Sequence, residues 1–276
     1  MEPRSQEDAV ESADEKQSLG LGRPAGDSHY RAYVGPPEDY DLIAAMTFNL
    51  ITTLGLRQKH VLLDIGCGSL RCGRLFIPYL NAGNYIGIEP NQWLVEEGIQ
   101  REIGADLIRL KQPKLYFSDS AAALAGSGAT VDFAVAQSIF SHCGPDLISA
   151  WLTGIYPYLS PSGALAATFV TGTEDFTGTG WVYPGCVKYT HEGMAKLAAA
   201  AGYSFKVLDW WHPRQTWGLF HRENYDCSWF QDRKLGWNAR YKKHRPKEPS
   251  EKKNAKPGKK KGLWRGLFGG RKAAQH

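Results

Sequence analysis

The chain has no pair of cysteines at CxxC spacing. Its five cysteines, Cys67, Cys72, Cys143, Cys186 and Cys227, are odd in number and scattered. That argues against a disulfide framework or a cysteine zinc site and for reduced thiols. No run reaches the ~18 uninterrupted apolar residues that a membrane-crossing helix needs. The opening stretch, MEPRSQEDAVESADEK, is acidic and lacks the apolar centre of a secretory signal, so a cytoplasmic protein is expected. No His/Asp/Glu cluster has ligand spacing, so nothing calls for a metal. Internal repeats are absent.

Net charge is also low, at +5, but it is unevenly placed. From Arg240 onward lie 14 of the 33 Lys and Arg residues and 2 of the 28 acids, a net of +12; the preceding body carries −7. Arguments from basicity to a nucleic-acid or membrane partner therefore apply to the tail alone. Residues 1–28 are polar and read as a disordered acidic arm, residues 29–241 as one folded domain, and 242–276 as a disordered basic tail.

What is present is a regular alternation. Leu42, Ile43, Met46, Leu50, Ile51 and Leu54 recur at helical spacing. HVLLDIG then reads as a strand buried on both faces. Helix Arg71–Leu80, strand YIGIEP, helix Trp93–Ile103, strand LYFSD, strand VDFAVAQSIF, helix Leu147–Leu159 and strand ALAATFV follow. A helix capped by Thr190 and ending at Gly202 precedes SFKVLDW and TWGLFHR, which could pair as a hairpin. This pattern predicts an α/β, Rossmann-like, doubly wound fold: a seven-stranded, mostly parallel sheet with a C-terminal antiparallel hairpin. Ligands then bind at the carboxyl ends of the strands, beside the first one.

The central motif is VLLDIGCGS, residues 61–69. Gly66 and Gly68 let the backbone turn tightly and approach a ligand. A dinucleotide fingerprint would carry a third glycine where Arg71 stands. Asp64, two positions before Gly66, would repel a pyrophosphate and suit an ammonium or sulfonium. Cys67, inside the turn, reads as a small filler within this cofactor-binding set and not as a nucleophile. Glu89 ends the second strand and can accept two ribose hydroxyls. Asp119, in FSDS, could accept from an adenine amino group while Phe117 packs on the ring. Gln137, Ser138 and His142, in AQSIFSH, would face the crevice mouth.

VLLDIGCGS, the acid of IGIEP and VDFAVAQSIFSH resemble motifs I, II and IV of class I S-adenosylmethionine-dependent methyltransferases. The resemblance spans roughly residues 38–225. The wider arrangement is similar to a bacterial methyltransferase group without an assigned substrate, through RAYVGPPEDYD, LRCGRLFIPYL and HPRQTW. It implies S-adenosyl-L-methionine as cofactor, contacts from Asp64, Gly66 and Gly68, ribose contacts from Glu89 and adenine contacts around Asp119. The fourth strand ends in QSIF, not in the Asn/Asp-Pro-Pro-Tyr/Phe turn of enzymes that methylate exocyclic or amide nitrogens. This departure favours a small-molecule or glycan hydroxyl over nucleic acid.

Several residues have two readings. His142 is a general base or a structural histidine. His212, in WWHPRQ, is a site residue or part of a rigid turn. Trp181 and Tyr183, in the long loop 172–189, cover an acceptor or fold back on the core. The whole chain could instead be a non-catalytic S-adenosylmethionine-binding scaffold or sensor; Asp64 and the missing third glycine argue against a nicotinamide enzyme. The tail sets Leu263, Trp264, Leu267 and Phe268 among lysines, which suits weak contact with an anionic membrane surface, with nucleic acid as the lesser alternative.

Overall fold

The computed structural model describes residues 18–228. Of the expected acidic arm, residues 1–17 lie outside this range. Residues 18–28 are tied to the body: the Gly22 N–H donates to Glu38 at 2.8 Å and the Gly26 N–H to the Ala32 carbonyl at 2.8 Å. The expected basic tail, 242–276, with its proposed membrane contact, lies outside the described residues. No helix among the described residues is long and apolar enough to cross a membrane.

The strands are β1 (Leu62–Ile65), β2 (Tyr85–Ile88), β3 (Lys114–Tyr116), β4 (Val131–Ala136), β5 (Leu159–Thr171), β6 (Lys188–Tyr189), β7 (Ser204–Leu208) and β8 (Thr216–His221). The sheet runs β3-β2-β1-β4-β5-β8-β7, with the short β6 beside β5. β1 to β5 are parallel neighbours, while β8 is antiparallel to both β5 and β7. The expected fold class is observed, with the terminal hairpin folded so that β8, and not β7, meets β5. Successive strands run outward from β1 in one direction and from β4 in the other. The crevice at their carboxyl ends is the topological switch point, where ligands bind in such sheets.

The helices are α1 (Tyr30–Tyr33), α2 (Tyr40–Thr53), α3 (Gly73–Tyr79), α4 (Gln92–Gly98), α5 (Ala105–Lys111), α6 (Pro145–Ile155) and α7 (His191–Ala200). They cover both sheet faces, so the sheet is the middle of three layers. Leu62 packs with Ile43, Met46, Leu50 and Phe76 on one face; Leu63 and Ile65 pack with Ile148, Leu152, Met194 and Ala198 on the other. That is why β1 carries no polar face apart from Asp64. Leu42, counted into the apolar stripe of α2, is exposed instead. Thr190 caps α7 as its sequence predicts, accepting from the Gly193 N–H at 2.9 Å.

Several boundaries differ from expectation. β4 ends at Ala136, so QSIF of the expected strand VDFAVAQSIF lies beyond it, and Phe140–His142 form a 3-10 turn. β2 ends at Ile88, one residue before Glu89, and the helix expected from Arg71 starts at Gly73. The helix from residue 92 is α-helical only to Gly98 and continues as a π turn over Ile99–Ile103. β3 ends at Tyr116, so FSD lies beyond it. The helix expected to Leu159 gives way at Ile155 to a 3-10 turn at Tyr156–Tyr158, around Pro157. SPSG belongs to β5, where the pairing shifts from Val131–Leu159 to Phe133–Ala164 as a bulge.

α4 is seated against the glycine turn through Gly98. A Cβ there would lie 2.2 Å from the Ser69 carbonyl oxygen, a backbone atom that cannot rotate away. Glycine to alanine within a helix ordinarily stabilises by about 1 kcal/mol. Gly98→Ala is expected to do the reverse and lower the unfolding free energy by about 1–3 kcal/mol, the cost of overpacking. Urea denaturation gives the sign; a stabilised variant would contradict this seating.

Candidate functional site

Three successive N–H groups fix the turn after β1. Those of Gly66 and Cys67 donate to the Ile88 carbonyl at 2.8 and 3.1 Å, and that of Gly68 to Glu89 Oε2 at 3.0 Å. Gly66 and Gly68 have φ of +65° and +55°, which L side chains rarely adopt. A Cβ on either would strike a side chain, Ile139 at Gly66 and Val34 at Gly68. Leu70 and Ser138, neither a glycine, also have positive φ, +57° and +62°. Such residues cluster where function outweighs backbone comfort; Leu70 follows the turn after β1 and Ser138 follows the end of β4.

Glu89 is buried. Its Oε1 accepts from the Asn91 backbone N–H at 2.9 Å and the Asn91 amide at 2.8 Å. Burial raises its pKa, against the three N–H donors that pull it down. A carboxylate can take about four hydrogen bonds, so Oε2 has room for a hydroxyl. Asp64 is enclosed below the turn and accepts from the Tyr85 hydroxyl at 2.7 Å. Burial pushes its pKa up to about 7, although Tyr85 and Arg71 pull downward. Cys67 belongs to the core: its Sγ would lie 2.9 Å from a Cβ on Gly87, and burial raises its thiol pKa. Its side chain is the filler that the sequence suggests. Its N–H is spent on Ile88, so it offers a ligand no N–H. Asp119 is exposed and lies three residues past β3; Phe117 beside it is half exposed.

Gln137 is buried at the end of β4 and accepts from the Arg71 guanidinium. The Ser138 N–H donates to Thr168 Oγ1 at 2.7 Å, and Gln215 donates to Ser138 Oγ at 2.8 Å. His212 Nδ1 accepts from the N–H groups of Arg214 and Gln215 at 3.1 and 2.9 Å. Its Nε2 lies 3.4 Å from the Gln137 amide nitrogen. Burial, with the Arg71 and Arg214 cations, pushes its pKa down to about 3. This is the pinned neutral ring of a rigid turn.

His142 differs. Its Nδ1 lies 2.6 Å from the Gly185 carbonyl oxygen, so in the neutral ring Nδ1 carries the proton and Nε2 the lone pair. Burial lowers its pKa below the ordinary value near 6.5. The loop 172–189 brings Gly185 there. The Val182 N–H donates to the His142 carbonyl, the Val187 N–H to Ser141, and Trp181 bridges to Cys143. His142 stands 5.1 Å from the Tyr183 ring and 5.5 Å from the Trp181 ring. Trp181 is 52% exposed, so it does not fold back on the core.

Sequence reasoning missed the segment that covers this crevice. The Tyr183 hydroxyl donates to the Tyr33 carbonyl, Tyr33 meets Trp93 and Tyr183 edge-on or tilted, and the Arg71 guanidinium donates to the Val34 carbonyl at 2.8 Å. Glu102 anchors this cover, pairing Arg31 at 2.6 Å and Arg74 at 3.2 Å and accepting from the Tyr30 hydroxyl at 2.8 Å. RAYVGPPEDYD is conspicuous in the sequence, but no local spacing links residue 31 to residue 102. A separate cavity lined by Thr53, Leu54, Gly55, Ser162 and Tyr225 lies at the amino end of β1, away from these groups.

Asp64 gives the site a pH signature. Its raised pKa means that the folded state holds a proton which the unfolded chain releases above its ordinary value near 4. Stability is then unpenalised below about pH 4 and falls as pH rises toward about 7. Asp64→Asn is expected to flatten that fall. Thermal melts of both proteins between pH 4 and 8 check this; parallel curves would contradict a protonated, buried Asp64.

No protein-family model matches the chain. Among solved structures, it is similar to magnesium protoporphyrin IX methyltransferase from Synechocystis PCC 6803 with bound S-adenosylmethionine. The TM-score is 0.51 at 12% identity, over 78% of this chain and 92% of that one. It is similar to an S-adenosylmethionine-dependent methyltransferase from Clostridium acetobutylicum ATCC 824, with a TM-score of 0.50 at 12% identity over 67% and 92%. The sugar N-methyltransferase KedS8 from Streptoalloteichus sp. gives a TM-score of 0.50 at 15% identity over 73% and 95%. Strand order, glycine turn and these likenesses agree: the chain has the fold of the class I S-adenosylmethionine-dependent methyltransferases.

Proposed function

We propose that this chain transfers a methyl group from S-adenosylmethionine to a hydroxyl of a small molecule or glycan. The observation that carries the reading is His142: a ring held by its Nδ1–H on the Gly185 carbonyl, with Nε2 unpaired among the described residues, beside an exposed Trp181. The residues of the turn fit the cofactor. Gly66 and Gly68 make the tight backbone cradle, and Oε2 of Glu89 has capacity for a ribose hydroxyl. The bound cofactor would supply an electrophilic methyl group on a sulfonium. His142 Nε2 would take the proton that the acceptor hydroxyl loses as its oxygen gains the methyl, the broken carbon–sulfur bond leaving its electron pair on the sulfur of the thioether product. The protein's larger contribution is alignment and exclusion of water by the Tyr33–Tyr183 cover. Trp181 offers a ring face to a flat or sugar-like acceptor, and one similar structure is described as a sugar N-methyltransferase.

Two experiments test this. Incubation with methyl-labelled cofactor and a cell extract, fractionated by class, is expected to label small molecules or glycans; label confined to nucleic acid would contradict the acceptor class. With the acceptor in hand, His142→Gln is expected to lower kcat by about 10²-fold with cofactor Kd unchanged. The base works deprotonated and burial lowers its pKa, so the acid limb of the wild-type rate profile should fall below pH 6.5. A limb above that value would exclude His142 as the base.

Glu89 is tested by binding alone. Glu89→Ala removes charge-assisted acceptors and is expected to weaken cofactor binding by about 1.5–3 kcal/mol, roughly 10- to 150-fold. Glu89→Gln keeps an acceptor for the Gly68 N–H and separates loss of the ribose contact from collapse of the turn. Unchanged affinity in both would remove Glu89 from the site.

A further inference from the structure

Arg71 is a charge without a countercharge. It stands where a dinucleotide fingerprint would place its third glycine, just before α3, and its side chain is almost wholly buried, with the residue 7% exposed. Among the described residues, no carboxylate lies within salt-bridge distance of it, whereas Arg31 and Arg74 nearby share Glu102 and Asp41. Its hydrogen bonds go to neutral acceptors: Nη1 to the Val34 carbonyl and Nη2 to the Gln137 side chain. Its buried Nε has no hydrogen-bond partner. A guanidinium has five N–H groups, and leaving them dry is costly. This cation also sits at the switch point, between the ends of β1 and β4, against the cover segment. Asp64 is close enough to feel it, but the carboxylate of Asp64 is turned to the Tyr85 hydroxyl.

We propose that Arg71 binds the carboxylate of the cofactor's amino-acid end. This rests on the S-adenosylmethionine reading above and deepens it. The amino-acid end carries a carboxylate, and the crevice offers it a buried cation, Arg71, with an unpartnered Nε. The remaining N–H groups of Arg71 match a planar carboxylate. The hydrogen bonds to Val34 and Gln137 set the guanidinium's place in advance. They also make Arg71 the group that joins the cover to the cofactor. A neutral or cationic ligand end would leave the buried guanidinium uncompensated.

The test is a ligand series measured by calorimetry on the full chain: S-adenosylhomocysteine, S-adenosylmethionine, decarboxylated S-adenosylmethionine, and methylthioadenosine, which lacks the amino-acid end. Wild type is expected to bind S-adenosylmethionine at least about tenfold tighter than its decarboxylated form, as a charge-assisted pair implies; equal affinity overturns the proposal without any mutant. Arg71→Gln is expected to weaken S-adenosylhomocysteine about tenfold or more and leave methylthioadenosine within about twofold, with Arg71→Lys between. Equal weakening of both ligands would show that Arg71 only holds the cover, and the proposal falls. Unchanged S-adenosylhomocysteine affinity with lost methyl transfer would assign the guanidinium to an acceptor's anion, and the proposal again falls. Failure of wild type to bind any of the four overturns the cofactor reading itself, a result distinct from the failure of Arg71 alone.

Discussion

Ile88 and Glu89 take three consecutive N–H groups from the turn at Gly66, Cys67 and Gly68, and the crevice depends on that exchange. The end of β2 thereby holds the end of β1 in a conformation that requires positive φ at two glycines. Once the turn is fixed, Cys67 is directed into the core against Gly87, and Asp64 is enclosed beneath it with Tyr85. The chain can then start α3 with Arg71 aimed across the crevice at Val34 and Gln137. One hydrogen-bonded corner thus places a carboxylate at each of two strand ends and a cation between β1 and β4.

A second layer of structure closes this corner from outside. Glu102, in the π turn after α4, collects Arg31, Arg74 and Tyr30, and so ties residues 29–41 to the body. Gly98 lets the same helix sit on the Ser69 backbone. The loop 172–189 meets the cover at Tyr33 and Tyr183 and carries Gly185 to His142. Cover, turn and loop share residues, so a ligand that engages the turn also bears on the segments above it. The charges follow the same logic: the Glu102 side chain has two cationic partners, whereas among the described residues no carboxylate lies within salt-bridge distance of the buried Arg71.

Much of the fold was legible because burial leaves a period in the sequence. HVLLDIG, apolar on both faces, had to be a central strand, and Thr190 with Gly202 bracketed α7 by cap chemistry that acts over a few residues. The glycine turn and Glu89 were legible for the same reason, since they sit where strands end. What escaped notice acts over long separations. Nothing near Arg31 points to Glu102, and nothing near Tyr33 points to Tyr183. The register of β8 against β5 depends on which edge is open once the sheet forms. α5 escaped because its residues Ala105–Lys111 bury no side chain fully and so show no clear apolar stripe. Arg71 was visible only as the place where a third glycine was missing. The partners that give it meaning, Val34 and Gln137, are 37 and 66 positions away.

The central claim is that this corner accepts the adenosyl–amino-acid zwitterion and rejects a pyrophosphate. Titration calorimetry of the unmodified chain with S-adenosylhomocysteine and with NAD measures that choice directly, free of any question about the acceptor. Saturable one-to-one binding of S-adenosylhomocysteine, with no heat of binding from NAD at the same concentrations, is the predicted result. Binding of NAD with no binding of S-adenosylhomocysteine would contradict it.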